Sequence, residues 1–510
     1  MREARRIALL FSLLSISFQF GGVAAQTESE TDADCPPLIN ATDAYTGIGQ
    51  LRAYSSCTAW LFDTPGPGSA PAFALTAGHC VVLYGGRRYA TEVLVGAAPG
   101  FRWRVIFNYF VDTVESQQSV DVAEISYATM SGDDLAVLRL NATKEDLRSR
   151  GLTFLPLAEE VPAENEEMRV VGIPFCPRVY PRYMRETAVC HRAGVSDVIE
   201  HSWYGFDRLS NNCTGIHGGH SGGPVLNKEG KAYGVLGTGA LHATSDQCGL
   251  HMPCEVEKDS DGGTSLDTDR VYSSNVTALP ACFDEATGTL ELQREECYLR
   301  ESASAEEGAA RAVILSDVRS PTKSENVTWS VALDTSSVVE VRYKTGRAGL
   351  VDCRHDQGYS DPLPVSDLEA GQPLEALPVP EEEGSHVLCV LGGSGNSTHP
   401  EQPVSSPSMV IVRVDNTPPQ KGPEITTAGR WVRLHYDPPE IARIRYATVA
   451  PDEGCPPANE ENSNAYRPYW WRFRVTEPQR LCTLSADSAD NWQLSPIATD
   501  LPGWSPQGIE

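Results

Sequence analysis

The chain has 510 residues, with 41 Lys plus Arg against 68 Asp plus Glu and a formal net charge of −27. That length allows roughly three domains. The acidic balance argues against nucleic acid as a partner, because phosphate would be repelled.

The first 25 residues read as a signal peptide. Arg2, Arg5 and Arg6 give the charged start, residues 7–20 are the apolar stretch, and Val23-Ala24-Ala25 offers a small-residue cleavage site before Gln26. Removing this segment, with its three Arg and one Glu, leaves a net charge of −29. No other apolar run approaches the length of a membrane span. A secreted, extracellular protein is therefore expected, and fourteen cysteines, an even number, imply disulfides in such a chain. Sequons stand at Asn40, Asn141, Asn212, Asn275, Asn326 and Asn396. Residues 26–43 form a polar leader.

Residues 44–285 read as short strands and turns. Examples are 72–75, 91–95, 102–107, 135–140, 168–172 and 233–236, all apolar or alternating and separated by Gly, Pro and Asp. Amphipathic helix signal is scarce. Three phrases in this stretch carry chemistry. Leu75-Thr76-Ala77-Gly78-His79-Cys80 offers an imidazole base, and Asp133-Asp134 before Leu135-Ala136-Val137-Leu138 offers a carboxylate. Gly218-Gly219-His220-Ser221-Gly222-Gly223-Pro224 offers a hydroxyl on a glycine-rich turn. A serine is a weak nucleophile until a base takes its proton, and that base works best when a third group orients it.

In this order, His then Asp then Ser, the phrases resemble those of trypsin/chymotrypsin-like serine proteases. The resemblance implies an all-β, chymotrypsin-like double β-barrel with the site in the seam between barrels. It assigns catalysis to His79, Asp134 and Ser221. Asp133 competes with Asp134, which is preferred because it directly precedes the apolar strand. The resemblance further implies an oxyanion hole from the N–H groups of Gly219 and Ser221. It implies a substrate pocket lined by Gly215, Ile216, Gly237, Thr238 and Gly239, and a Cys57–Cys80 bridge clamping the histidine loop. No acid stands where a trypsin-type pocket keeps one, so a small or apolar preference is expected. The residue before the serine is His220 rather than Asp, and the serine stretch is closer to the branch that includes the HtrA proteases. Activity is therefore expected without cleavage to a new N-terminus.

Neither a cofactor nor a metal is expected. His217 and His220 read as locally bonded loop histidines, and the acidic loop Asp259-Ser260-Asp261-Gly262-Gly263 lacks the full spacing of a helix-loop-helix calcium site. The competing functional reading is an inert protease homologue kept for adhesion or recognition. An esterase with the same triad fits neither the chain order nor the three phrases.

Residues 286–311 are Glu- and Ala-rich and read as a linker. An internal repeat follows. Trp329 corresponds to Trp431, Val341-Arg342-Tyr343 to Ile444-Arg445-Tyr446, Cys353 to Cys455 and Cys389 to Cys482. Asp415-Asn416-Thr417-Pro418-Pro419 makes a stiff boundary between the copies. The copies, 312–416 and 420–503, have the size of β-sandwiches and resemble tandem Ig-like or fibronectin-III-like modules. A disulfide is expected in each, Cys353–Cys389 and Cys455–Cys482. The Trp, Tyr and Cys of the pattern are expected to serve core packing. Protein or peptide substrates are the expected partners of the first part, and a surface, glycan or protein ligand that of the modules.

Overall fold

The computed structural model describes residues 35–503 apart from 83–88, 177–181, 241–247, 259–260, 300–312, 317–319, 326, 330, 335–337, 356, 369–376, 394–406, 437–439 and 459–464. The signal peptide, the first half of the leader, Asp259 and Ser260, the end of the linker, and the sequons at Asn326 and Asn396 lie outside the described residues.

The fold is all-β, as expected. The first sheet contains β1 (Ile48–Arg52), β2 (Ser56–Leu61), β3 (Pro71–Thr76), β4 (Val93–Ala97), β5 (Arg104–Phe107), β6 (Gln118–Thr129) and β7 (Leu135–Thr143). Its order is β4-β6-β5-β1-β2-β3-β7, and pairing of β6 with β7 closes six of these strands into a barrel. Leu51, Val105, Phe107, Val120 and Leu138 share one face of the paired strands and fill the interior. Alternation along each strand sends these side chains inward while their neighbours face outward.

The second sheet contains β8 (Glu167–Gly172), β9 (Arg185–Glu186), β10 (Cys190–Glu200), β11 (Trp203–Asn211), β12 (Pro224–Asn227), β13 (Ala232–Gly239), β14 (Cys254–Val256), β15 (Thr264–Ser265) and β16 (Val271–Asn275). Its order is β15-β14-β10-β11-β16-β13-β12-β8-β9, and pairing of β10 with β8 closes a second six-stranded barrel. The seam between barrels is drawn together by Thr58 on β2. Its N–H donates to Ser221 O at 2.9 Å, and its hydroxyl donates to Gly219 O at 2.7 Å.

The expected linker departs from extended chain in its first residues. Leu292, Cys297 and Leu299 join Phe283, which precedes the linker, in the apolar cluster built on the first barrel, and Cys297 is bonded back to Cys282. Apolar residues spaced through an otherwise acidic stretch give it a surface to bury.

Beyond it lie β17 (Val313–Ser316), β18 (Val331–Asp334), β19 (Glu340–Arg347), β20 (Leu363–Pro364), β21 (Gly384–Gly393) and β22 (Ser408–Val414). The last part contains β23 (Glu424–Ala428), β24 (Trp431–His435), β25 (Arg443–Val449), β26 (Arg467–Pro468), β27 (Phe473–Arg474), β28 (Gln479–Ala486) and β29 (Ile497–Leu501). The sequence repeat is a topological repeat. One four-stranded sheet runs β20-β19-β21-β22 and the other β26-β25-β28-β29, with antiparallel pairing throughout. Cys353 is bonded to Cys389 and Cys455 to Cys482. The two tryptophans differ. Trp329 is fully buried, whereas Trp431 is partly exposed on β24, where Val432 and Leu434 take the core-facing positions.

The first C-terminal unit packs against the second barrel. Ile199, Tyr204 and Val256 share an apolar cluster with Ala348, Val387, Met409 and Ile411. Arg354 caps it, 2.6 Å from Asp207 and with its guanidinium 4.3 Å from the Phe206 ring centroid. Among the described residues, no helix is long and apolar enough to cross a membrane.

Candidate active site

The imidazole sits on a single turn, Gly78–Cys80, just after β3. A side chain at residue 78 would place its Cβ 2.0 Å from Thr129 O, so only glycine lets the turn pack this closely. The Cys57–Cys80 disulfide ties the turn to β2. Asp134 stands at the entry to β7 and is 2% exposed. Its Oδ1 accepts from the backbone N–H of His79 at 2.8 Å, and its Oδ2 lies 2.8 Å from His79 Nδ1. A carboxylate with two contacts to one residue fixes both the position and the ring plane of that residue.

Burial works against charge on both groups, but each stabilises the other. Desolvation would lower the His79 pKa, yet the Asp134 carboxylate, by charge and hydrogen bond, raises it above the ordinary 6.5. Desolvation would raise Asp134, yet the His79 charge and hydrogen bonds, with a contribution from Arg208, hold it below the usual carboxylate value.

Asp133 has a different employment. Its Oδ1 accepts from Ser274 Oγ at 2.7 Å, from the N–H of Asp134 at 2.7 Å, and from Arg208 Nη1. Arg208 projects from β11 and is 1% exposed. It also donates to Ser274 Oγ at 2.9 Å, while its Nε and Nη2 have no hydrogen-bond partner among the described residues. An ideal Cβ on Gly237 would lie 2.9 Å from Asp134 Oδ2 and 3.2 Å from Arg208 Nη2. The guanidinium and the carboxylate thus approach each other beside the bare α-carbon of Gly237.

Ser221 sits on a turn whose flanking glycines have left-handed backbones, φ 97° at Gly219 and 82° at Gly222. Its Oγ makes one long hydrogen bond, 3.5 Å to Gly237 O. The N–H groups of Gly219 and Ser221 donate to no hydrogen bond among the described residues. His220, just before the serine, is fully buried, and burial drives its pKa down to about 3. It is a neutral, packed side chain whose Nδ1 accepts from the N–H of His217 at 3.1 Å.

His79, Asp134 and Ser221 line one cleft of about 620 Å³ between the barrels. Of the residues expected to form the substrate pocket, Ile216, Gly237, Thr238 and Gly239 line this cleft. Gly215, where the backbone is left-handed with φ 74°, does not. Gly219 contributes no lining surface; its carbonyl accepts from the Thr58 hydroxyl at 2.7 Å, and its N–H is unengaged among the described residues. An acid does line the cleft, on an element the sequence reading had not considered. Glu200, at the end of β10, accepts from the N–H of His251 at 2.8 Å.

Three groups escaped the sequence reading: Thr58, Arg208 and Ser274. Thr58 directly follows Cys57, but nothing local marks its hydroxyl as the link between barrels. Arg208 and Ser274 lie 75 and 141 residues from Asp133, and only the closed second barrel brings them to it.

Against models of protein families, residues 57–235 match the trypsin-like peptidase domain. Comparison with curated proteins gives no match. Among solved structures, the chain is similar to a thermostable serine protease, AL20, from an extremophilic microorganism, with 14% identity, 46% of this chain and 93% of that one covered, and a TM-score of 0.30. It is similar to mouse neuropsin, a serine protease of the limbic system, with 12% identity, coverage of 46% and 91%, and a TM-score of 0.29. Human heparin binding protein gives 15% identity, coverage of 46% and 89%, and a TM-score of 0.29. At these scores the likenesses add nothing to the fold read directly from strand pairing.

Proposed function

We propose that this chain is a secreted serine endopeptidase that hydrolyses peptide bonds through an acyl-enzyme, with Ser221 as nucleophile, His79 as general base and acid, and Asp134 as its orienting carboxylate. The observation that carries the proposal is the doubly anchored His79–Asp134 pair opening onto the same cleft as Ser221. With Nδ1–H donated to Asp134, Nε2 of His79 is left to accept the serine proton. Ser221 Oγ then attacks the scissile carbonyl carbon. The free N–H groups of Gly219 and Ser221 receive the developing oxyanion, each worth about 3–4 kcal/mol in the transition state. The imidazolium returns its proton to the leaving amine, and water repeats the sequence to release the acyl group. Buried, ionised Asp134 stabilises the imidazolium at each stage.

Seven disulfides with no free cysteine among the described residues, together with residues 1–25, support export. The two C-terminal units are Ig-like modules that position the enzyme on its target. Ile216, Leu236 and Thr238 around the serine support a small or apolar residue on the acyl side of the bond.

The test is fluorophosphonate labelling of the purified protein, with mapping of the modified peptide and turnover of a peptide library. Label on Ser221 is expected, and Ser221→Ala should lower turnover by roughly 10^6-fold. Unchanged turnover in that variant, or labelling elsewhere, would refute the assignment. Absence of turnover in both proteins would favour the inert homologue.

A further inference from the structure

The last unit carries a surface that catalysis does not use. On β24, Val432 and Leu434 point into the core, so Trp431, Arg433 and His435 face outward. The neighbouring strand β27 buries Phe473 and exposes Arg474, which pairs in register with Trp431. The segment just before β27 adds Trp470, 87% exposed, and Trp471, 63% exposed. Two adjacent indoles standing this far out of a folded surface lose a favourable burial that most tryptophans find.

Cations surround these rings. The Arg472 guanidinium lies 4.3 Å from the Trp431 ring centroid and 5.0 Å from that of Trp471. Arg433 lies 5.8 Å from Trp471, and Arg430 6.0 Å from Trp431. None of Arg430, Arg433, Arg472 and Arg474 has an ion-pair partner among the described residues, although the chain as a whole is strongly acidic. Glu424 stands at the far end of the sheet, opposite His435. Four unpaired arginines gathered around exposed indoles call for an anionic partner with an apolar layer beneath it.

We infer that this face docks the protein peripherally onto an anionic lipid surface, with Trp470 and Trp471 entering the headgroup boundary and the arginines meeting lipid phosphates. Tryptophan favours that boundary because its ring is apolar and its N–H polar. The ring faces of Trp431 and Trp471 are approached by guanidinium groups, which favours this partner over a sugar stacked flat on the rings. Each arginine near an anionic surface strengthens binding about fivefold.

The test is sedimentation of the full-length protein with vesicles of phosphatidylcholine alone and of phosphatidylcholine mixed with phosphatidylglycerol. Binding to the mixed vesicles and not to the neutral ones is expected, weakening as salt screens the charges. Arg433→Gln with Arg472→Gln should weaken it about thirty-fold. Trp470→Ala with Trp471→Ala should weaken it by about tenfold or more. These residues are exposed, so the variants should keep the parent's thermal midpoint. Ser221→Ala should bind as the parent does, which separates this inference from the catalytic one. Failure to sediment, equal binding to both vesicles, or unchanged binding by either double variant would overturn it. Retention on dextran sulfate without vesicle binding would also overturn it, in favour of a polyanionic glycan.

Discussion

Arg208→Met is the substitution that most directly probes how Asp134 is held. The guanidinium Nη2 and Asp134 Oδ2 lie 3.2 Å and 2.9 Å from one point beside Gly237, which places them within about 6 Å of each other. At an effective dielectric of about 20, opposite unit charges at that distance attract by about 3 kcal/mol. Methionine keeps most of the buried volume but removes the charge. It also strips a partner from Asp133, whose side chain is 25% exposed and can rehydrate. The stability loss should therefore fall below the 3–5 kcal/mol typical of breaking a fully buried pair. Activity should respond more distinctively. Arg208 opposes the imidazolium of His79 and favours the carboxylate of Asp134. Its removal makes His79 easier to protonate, and catalysis needs the neutral ring. The acid limb of kcat/KM, already above 6.5 in the parent, should move to higher pH, with kcat/KM near neutrality falling about ten- to a hundred-fold. Arg208→Lys should restore much of the limb, since the charge is kept. The assay is kcat/KM against pH on one peptide substrate, with thermal midpoints measured alongside. A variant with reduced stability and an unmoved acid limb would show that Arg208 only packs.

Asp134→Asn should lower kcat by about 10^4-fold by favouring the wrong tautomer of His79, whereas Asp133→Asn should reduce it far less; equal losses in steady-state turnover would contradict the division of labour between them. The uncut chain from Gln26 to Glu510 should label with an active-site phosphonate, because buried His220, neutral with a pKa of about 3, has no charge to pair with a freed ammonium. Labelling that appears only after a protease is added would count against this. Cys57→Ser with Cys80→Ser opens a loop with a sequence separation of 23 and should lower unfolding free energy by roughly 3–4 kcal/mol in denaturant titration. A change below about 1 kcal/mol would mean that the histidine turn is held chiefly by Asp134.

What could be read from the chain and what could not divides along the range of the forces. Gly78 beside His79, the glycines around Ser221 and the apolar strand after Asp134 are local requirements of a tight turn or a buried strand, so they leave local phrases. The paired cysteines and the repeated Arg-Tyr strands are equally legible, since identical sheets need similar patterns. The role of Asp133 was not legible. It differs from Asp134 only in what lies across from it, and Arg208 and Ser274 arrive from strands of the other barrel. Trp329 and Trp431 look equivalent in sequence, yet one is buried and the other faces outward, because strand register decides which face a residue takes. Likewise, the acidic stretch after 285 reads as a linker, and the spaced apolar residues within it find a core only because the first barrel stands ready to receive them. Composition and short motifs thus determined the all-β class and nominated three reacting groups. Tertiary closure alone decided which charge supports which, since Coulomb attraction and burial depend on distance in space and are blind to separation along the chain.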